Sequence, residues 1–287
     1  MSPKRHLPRV MITGANGMLG SDLTEVFREK LGVDSVLATD LPELDITHPE
    51  QLNEFVRIHE PEVVINAAAY TDVDRAETET DKAYLLNVTG PKNLAKVCGD
   101  SAIRLIHFST DHVFCGDRDI PWREEDEPNP ANYYAKTKLW GERSVLDYPM
   151  GLVLRIQWLY GKKKDRFTTL QQKDVFTPFE DQFGAPTWTR RVSEVVFRLM
   201  EKQGSGLFHF AYDDHASWAE VFDFVKDELK LSTTLLPKKT NDVSLPAQRP
   251  KYSVLSNEKL RDFLGVSEVG SWKRDLGVFL EQRAKER

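Results

Sequence analysis

Two cysteines in 287 residues, Cys98 and Cys115, are too few for a disulfide framework. They suit a reducing compartment, and the simplest role for each is a small, half-buried filler. Positive charge is also in short supply. Thirty-nine Lys and Arg against forty-five Asp and Glu give a formal net charge of −6, which removes the electrostatic case for nucleic acid or an anionic membrane surface. An anionic substrate therefore needs a local basic pocket. No apolar run approaches the ~18 residues of a membrane span, and there is no internal repeat or low-complexity linker. The start, MSPKRHLPRV, carries Lys4, Arg5 and Arg9 with no apolar stretch behind them. It reads as a tail and not a signal peptide, so the expected location is cytoplasmic. Without a secretory signal, the glycosylation pattern Asn87-Val88-Thr89 carries no weight.

What is present is an alternation. RVMIT, VLATD, EVVINAA and RLIHFST are short, nearly all-apolar runs, separated by helical spacing in SDLTEVFREKL, PEQLNEFVRIHE and a long stretch from about residue 80 to 98. NYYAKTKLWGERSVL is the next helix and LVLRIQWLYG the next strand. Continuous apolar strands suit a parallel sheet buried on both faces, and βαβ alternation suits a doubly wound α/β fold. After about residue 161 the rhythm breaks. The lysine run 162–164 is expected in a solvated loop. RVSEVVFRLMEK and WAEVFDFVKDELK are amphipathic helices, and two short helices close the chain. Two lobes follow: residues 1–161, to which a helix at about 191–203 returns, and residues 162–287.

GANGMLG places Gly14, Gly17 and Gly20 between a strand and a helix. Such glycines allow a tight turn and close approach of backbone to phosphate, and the helix N-terminus offers free N–H groups to a pyrophosphate. Asp40 ends the second strand, 20 residues past Gly20, where a carboxylate accepts from adenosine ribose hydroxyls. It would repel a 2′-phosphate. With no Arg or Lys in the glycine loop or just after Asp40, NADH is favoured over NADPH.

The segment YYAKTK sets Tyr134 four residues before Lys138. With 8 tyrosines in the chain, roughly half a Tyr-x-x-x-Lys match arises by chance, so the setting decides. Residues four apart share a helical face, and Tyr133 and Tyr134 point about 100° apart, so only one of them joins Lys138. A free tyrosine titrates near 10; acid catalysis near neutrality asks for a fall of roughly three units, or ~4 kcal/mol. An exposed helical pair supplies a few tenths of that, whereas two charges ~4 Å apart at an effective dielectric of ~20 supply ~4 kcal/mol. The pair therefore needs a cleft that excludes water. Ser109 and Thr110 end the fourth strand, at the carboxyl edge where α/β sheets bind ligands, and either hydroxyl can donate to a carbonyl oxygen.

Together these pieces resemble the extended short-chain dehydrogenase/reductases and, within them, the dTDP-4-dehydrorhamnose reductase family. The likeness is carried by INAAAYTDVDRAE (65–77), FSTDHVF (108–114), YYAKTKLWGE (133–142), EDQFGAPTW (180–188) and QRPKYSVL (248–255). It implies a Rossmann-type sheet with a smaller C-terminal substrate lobe, and a hydride passed from NADH or NADPH to the C4 keto group of a dTDP-sugar. It assigns proton donation to Tyr134, tuning and ribose binding to Lys138, and a hydrogen bond to the carbonyl to Thr110. It also implies cofactor contacts from Asn16, Met18 and Leu19 in the glycine loop, from Asp45 and Ile46, from Asn66, Ala67, Ala68 and Ala69, and from Asn87. Substrate contacts fall to Ser109, Asp111, His112, Trp158, Gln182, Gly184, Pro186 and Arg249, the last at the diphosphate.

The chain departs from the family at His112, where the family has tyrosine, and at Ile156-Gln157, where it has two small hydroxyls. The segment between Gly161 and Asp181 is several residues short. Some relatives hold a magnesium with a carboxylate where this chain has Arg190, so no metal is expected. The implied protein is a monomer or homodimer. Two other readings of this fold stay open. One is a non-catalytic dinucleotide-binding subunit like the methionine adenosyltransferase β-subunit, which shares WREEDEP, VLRI and AQRP; the other is a nucleotide-sugar epimerase or dehydratase.

Overall fold

A computed structural model describes residues 7–285; the basic start with Lys4 and Arg5 lies outside the described residues. Its centre is a six-stranded, all-parallel sheet of β1 (Val10–Thr13), β2 (Val36–Thr39), β3 (Val63–Asn66), β4 (Arg104–Thr110), β5 (Gly151–Ile156) and β6 (Gly206–His209), in the order β6-β5-β4-β3-β1-β2. The order reverses between β1 and β3, and a crevice opens there at the carboxyl ends of the strands. β1, β3 and β5 are buried along their whole length, which explains their mostly apolar sequence; Thr13, Asn66 and Arg155 are the buried polar exceptions. β6 is a strand that the sequence pattern does not announce: GLFH is four residues long and ends in a polar one.

The helices are α1 (Met18–Leu31), α2 (Pro49–His59), α3 (Thr80–Tyr84), α4 (Gly90–Asp100), α5 (Tyr133–Leu146), α6 (Thr189–Glu201), α7 (Trp218–Glu228), α8 (Glu258–Leu264) and α9 (Trp272–Lys285). The stretch that reads as one helix from residue 80 to 98 is α3 and α4 joined by a π-turn at Leu85–Thr89, a distortion that often marks functional sites. α6 packs on α1, with Phe27 edge-on to Phe197 at 5.3 Å between ring centres, a geometry worth ~1 kcal/mol beyond the area it buries. Arg190 at the start of α6 pairs with Glu25 and Glu29 of α1. α9, at 14 residues, is longer than its sequence suggests.

The run LVLRIQWLYG is not one strand. β5 stops at Ile156, Trp158 takes the left-handed conformation at φ 42°, and Leu159–Tyr160 starts a separate ladder with Thr187–Trp188. Two further ladders, Phe183–Gly184 with Ala216–Ser217 and Val175–Phe176 with Thr234–Leu235, shape the C-terminal part. Ladders of two residues leave the chain free to follow side-chain packing, so this region has no sequence period.

Candidate active site

The glycine loop is fixed by close packing. Gly14 has φ +67°, and a β-carbon there would stand 2.5 Å from the backbone nitrogen of Ala68; one on Gly20 would stand 2.0 Å from the Gly14 carbonyl oxygen. Gly14 therefore seats the loop against Ala67 and Ala68, and Gly20 seats α1 against the loop. Gly17 meets only the Gly14 oxygen, at 3.1 Å, so its outer side is clear. Gly17 caps α1 in extended conformation without a side-chain bond, leaving the first-turn N–H groups of Met18 and Leu19 for an anion.

Asp40 is pinned by backbone: Oδ2 accepts from Asn16 N and Oδ1 from Leu41 N, each at 2.8 Å. It lines a cavity of about 460 Å³ with Ala15, Asn16, Thr24, Arg28 and Leu41. Arg28 arrives from α1, so the cavity holds a cation that neither the loop nor the residues after Asp40 contain. Asp45, an expected cofactor contact, is held locally: its Oδ1 accepts from both Thr47 N and Thr47 Oγ1, which helps hold the carboxyl below its usual range even as partial burial works against that. Ile46 is buried against Gly90. The Asn87 side chain is spent as well. Its oxygen accepts from Tyr70 N, and its nitrogen donates to Tyr70 O and Thr137 Oγ1. It ties the segment after β3 to α5 from inside the π-turn. The lysine run is solvent-exposed but tethered, with Lys162 on Glu25 and Lys163 Nζ donating to the Asn16 carbonyl at 2.7 Å.

α5 starts at Asn132, whose Oδ1 accepts from Ala135 N while its Nδ2 donates to Gln248 O. This cap fixes which way the two tyrosines point. Tyr133 turns to Trp140, and Tyr134 turns into the cleft, edge-on to His112 at 6.0 Å. Tyr134 lies close enough to Thr110 and Asp111 for both to act on its phenol. Thr110 Oγ1 also donates to Asp111 Oδ1 at 3.0 Å and accepts from His112 N at 3.2 Å. One turn along, Lys138 is 3 % exposed; burial pushes its ammonium down to about 8, with Glu142 opposing.

Tyr134 is not tuned downward in the protein alone. The packed protein around it pushes the phenol up to about 12, Asp111 adds to the rise and Thr110 counters it. Lys138 is not among these influences in the protein alone; the sequence-based expectation concerns a cleft that excludes water. Part of the ring still opens on the cleft.

Along and just past the ends of β4 and β5, buried polar atoms stand without a protein partner: Ser109 Oγ, Asp111 Oδ2, His112 Nδ1, His107 Nε2 and both ends of the Gln157 amide. Buried groups are normally hydrogen-bonded, so such a cluster beside a cleft suits a polyhydroxyl ligand. Asn66 lies beneath it, accepting from Thr13 Oγ1 and Ala68 N and donating to His107 Nδ1 at 3.0 Å. Asn66 is therefore a backbone-positioning residue at the edge where the cofactor was expected.

The far wall holds Trp158, stacked on Trp218 with ring centres 3.8 Å apart. A β-carbon on Gly184 would stand 2.6 Å from the Trp158 ring, so Gly184 makes room for that tryptophan. Pro186 is buried behind it, and Gln182 donates to Thr240 Oγ1. Arg166 lies over the Trp218 ring at 4.7 Å. Its side chain reaches solvent yet is crowded by protein, and burial together with the nearby Arg249 lowers its pKa. Arg249 pairs with Asp74 at 2.9 Å and donates to Ala247 O. The two guanidinium groups are close enough for Arg249 to act on Arg166, although Arg249 is already paired with Asp74. Sequence reasoning missed Arg166 and Trp218, which no motif marks, and treated Gln157 only as a lost hydroxyl. No group of three or more His, Cys, Asp or Glu converges among the described residues. No helix there is long and apolar enough to cross a membrane.

Comparison with known proteins joins these features. The model of the RmlD substrate binding domain matches residues 8–285. A dTDP-4-keto-6-deoxy-D-glucose reductase of Streptomyces niveus is 33% identical, covering 92% of this chain and 93% of its own. A dTDP-4-dehydrorhamnose reductase of Aggregatibacter actinomycetemcomitans is 32% identical over 94% and 97%. The crystal structure of the Bacillus anthracis dTDP-4-dehydrorhamnose reductase in complex with NADP superposes with a TM-score of 0.92 at 31% identity, covering 96% of this chain and all of the other. By sequence and by fold alike, the chain belongs to the RmlD substrate-binding-domain family, that of the dTDP-4-dehydrorhamnose reductases.

Proposed function

We propose that this chain is an NAD(P)H-dependent reductase that converts the C4 ketone of a dTDP-4-dehydro-6-deoxysugar to an alcohol, with dTDP-4-dehydro-L-rhamnose as the substrate. The observation that carries it is the junction of the Tyr134 hydroxyl, Thr110 and buried Lys138 beside a cluster of unpartnered polar groups. The open side of Gly17, the free start of α1 and the pinned Asp40 fit a dinucleotide running to that junction.

When bound, a reduced nicotinamide supplies a hydride to C4. Thr110, whose hydroxyl donates to Asp111 here, would turn to donate to the carbonyl oxygen, and Tyr134 gives its proton to that same oxygen as charge develops. A phenol near 12 is acidic enough for this. The alkoxide that forms is about as basic as hydroxide, whose conjugate acid titrates at about 15.7, so proton transfer runs downhill. Lys138, with a pKa of about 8, is mostly charged at neutral pH and supports the phenolate left behind. Arg166 and Arg249 would take the diphosphate, and Trp158 with Trp218 would wall the sugar or base. Residues 1–161, with α6 and β6 returning to them, would hold the cofactor and the rest of 162–287 mainly the substrate, in a cytoplasmic protein. The Asp40 carboxylate favours the free 2′-hydroxyl of NADH, and Arg28 in the same cavity softens that choice.

The test is loss of absorbance at the reduced-nicotinamide band with dTDP-4-dehydro-L-rhamnose and, separately, dTDP-4-keto-6-deoxy-D-glucose, each with NADH and NADPH. Turnover of the first in preference to the second is expected. Turnover of neither, with dinucleotide binding demonstrated, would overturn the reading; preference for the second would correct the sugar.

A further inference from the structure

Lys138 sits among charges that the hydride-transfer scheme does not use. Glu142, one turn further along α5, is also buried, and Arg155 of β5 clamps both of its carboxylate oxygens: Nε to Oε2 at 3.0 Å and Nη2 to Oε1 at 2.5 Å. The guanidinium is itself 1 % exposed. Its Nη1 donates to His209 Nε2 at 3.2 Å, and His209 Nδ1 donates to Trp122 O at 3.1 Å. That pattern fixes the tautomer of His209, which burial and Arg155 keep neutral. From β4, His107 faces Lys138 and is likewise held neutral by burial and by the lysine charge. The groups around Lys138 are therefore one carboxylate, a guanidinium behind it, two neutral imidazoles and the protonated Tyr134.

A buried ion pair is poor value as a stabiliser, since apolar residues of the same volume serve as well or better. This one has a different consequence. Without the carboxylate, Lys138 and Arg155 would be two buried cations with nothing between them. Arginine does not give up its proton, and lysine does. We infer that Glu142, clamped by Arg155, is a positioning residue that keeps Lys138 in its ammonium form beside Tyr134. The pair thus acts through Lys138 and touches neither substrate nor cofactor.

The inference rests on the reductase reading for its kinetic test only. In Glu142→Gln the alkaline limb of kcat/KM for ketone reduction should move to lower pH by about one unit or more, the shift expected on losing a neighbouring opposite charge. Glu142→Asp should restore most of it. A merely structural role would lower activity by the same factor at every pH and leave the limb in place, which would overturn the inference. Should Glu142→Gln fail to fold, the double variant Glu142→Leu/Arg155→Leu removes both charges while keeping the packing apolar. Its limb should also move down, and an unmoved limb again overturns the inference. A second readout needs no substrate: in protein labelled with 13C at lysine Cε, Lys138 should titrate at lower pH in Glu142→Gln than in the wild type. An identical titration would sink the inference even if the reductase reading stood, and a lowered one would sustain it even if that reading fell.

Discussion

The two sides of the cleft are made of different material. On the side of β1 and β2 the working surface is backbone: the glycine loop, the start of α1 and a carboxylate held by two main-chain N–H groups. On the side of Trp158 and Trp218 it is side chains, carried by two-residue ladders, a left-handed tryptophan and two nearby guanidinium groups. A backbone surface is dictated by local rules of turn and packing and leaves little room for variation. A side-chain surface can be changed residue by residue, so it is where members of one family can differ in their sugar. The strained Trp158 fits this view, since left-handed non-glycine residues cost ~1–3 kcal/mol and persist where function holds them.

Tyr134 belongs to the junction of the two sides, and its loss should have the largest effect. Tyr134→Phe should lower kcat by ~10²–10⁴-fold, the range for a positioned proton donor, while the dissociation constant for NADH stays within a few-fold. Tyr133→Phe should retain nearly full activity, because that ring packs on Trp140. If the two variants exchanged phenotypes, the reading of α5 would be wrong; stopped-flow turnover and cofactor fluorescence together decide it.

A crossed pair of variants tests the division itself. Arg166→Ala should raise KM for the dTDP-sugar by ~10–100-fold, the worth of a lost charged hydrogen bond of ~1.5–3 kcal/mol, and weaken its dependence on ionic strength. NADH affinity should not change. Asp40→Ala should do the reverse, weakening NADH by several-fold and NADPH less, with sugar KM unaffected. Titration calorimetry with each ligand measures both arms. If Arg166→Ala lowered cofactor affinity as much as sugar affinity, the two sides would not be separable.

The same difference governs what could be read in advance. β1 to β5 are legible because each is a bounded apolar run, and Tyr134, Lys138 and Thr110 because the spacing YxxxK and a strand-end hydroxyl are local patterns. β6 is not, since four residues ending in histidine have no clear period. Arg166 and Trp218 are 52 residues apart in number and meet only through packing. Asn87 and Asp45 carry a use that no local pattern marks: the fold hydrogen-bonds their side chains to Tyr70, Thr137 and Thr47.

The smallest effect concerns stability in mild acid. His107 and His209 are buried at 1 % and 0 % exposure and titrate well below the usual 6.5. An unfolded histidine takes up a proton below about 6.5, and the folded ones do not, so in that range the unfolded chain binds more protons. Stability must then fall as pH drops, by up to ~1.4 kcal/mol per pH unit for each group. Between pH 7 and 5.5 the two together should remove about 2–3 kcal/mol. Asp22 and Glu124 pull the other way, because burial raises their carboxyls and the folded state then holds protons more firmly. The raw slope therefore mixes both, and the difference between proteins isolates the histidines. His209→Gln keeps an acceptor for Arg155 and cannot be protonated, so between pH 7 and 5.5 its stability in urea unfolding should fall by about 1 kcal/mol less than that of the wild type. Equal falls would mean that His209 titrates alike in the folded and unfolded chain, and in mild acid the buried chain from Lys138 through Glu142 and Arg155 would end in a third cation.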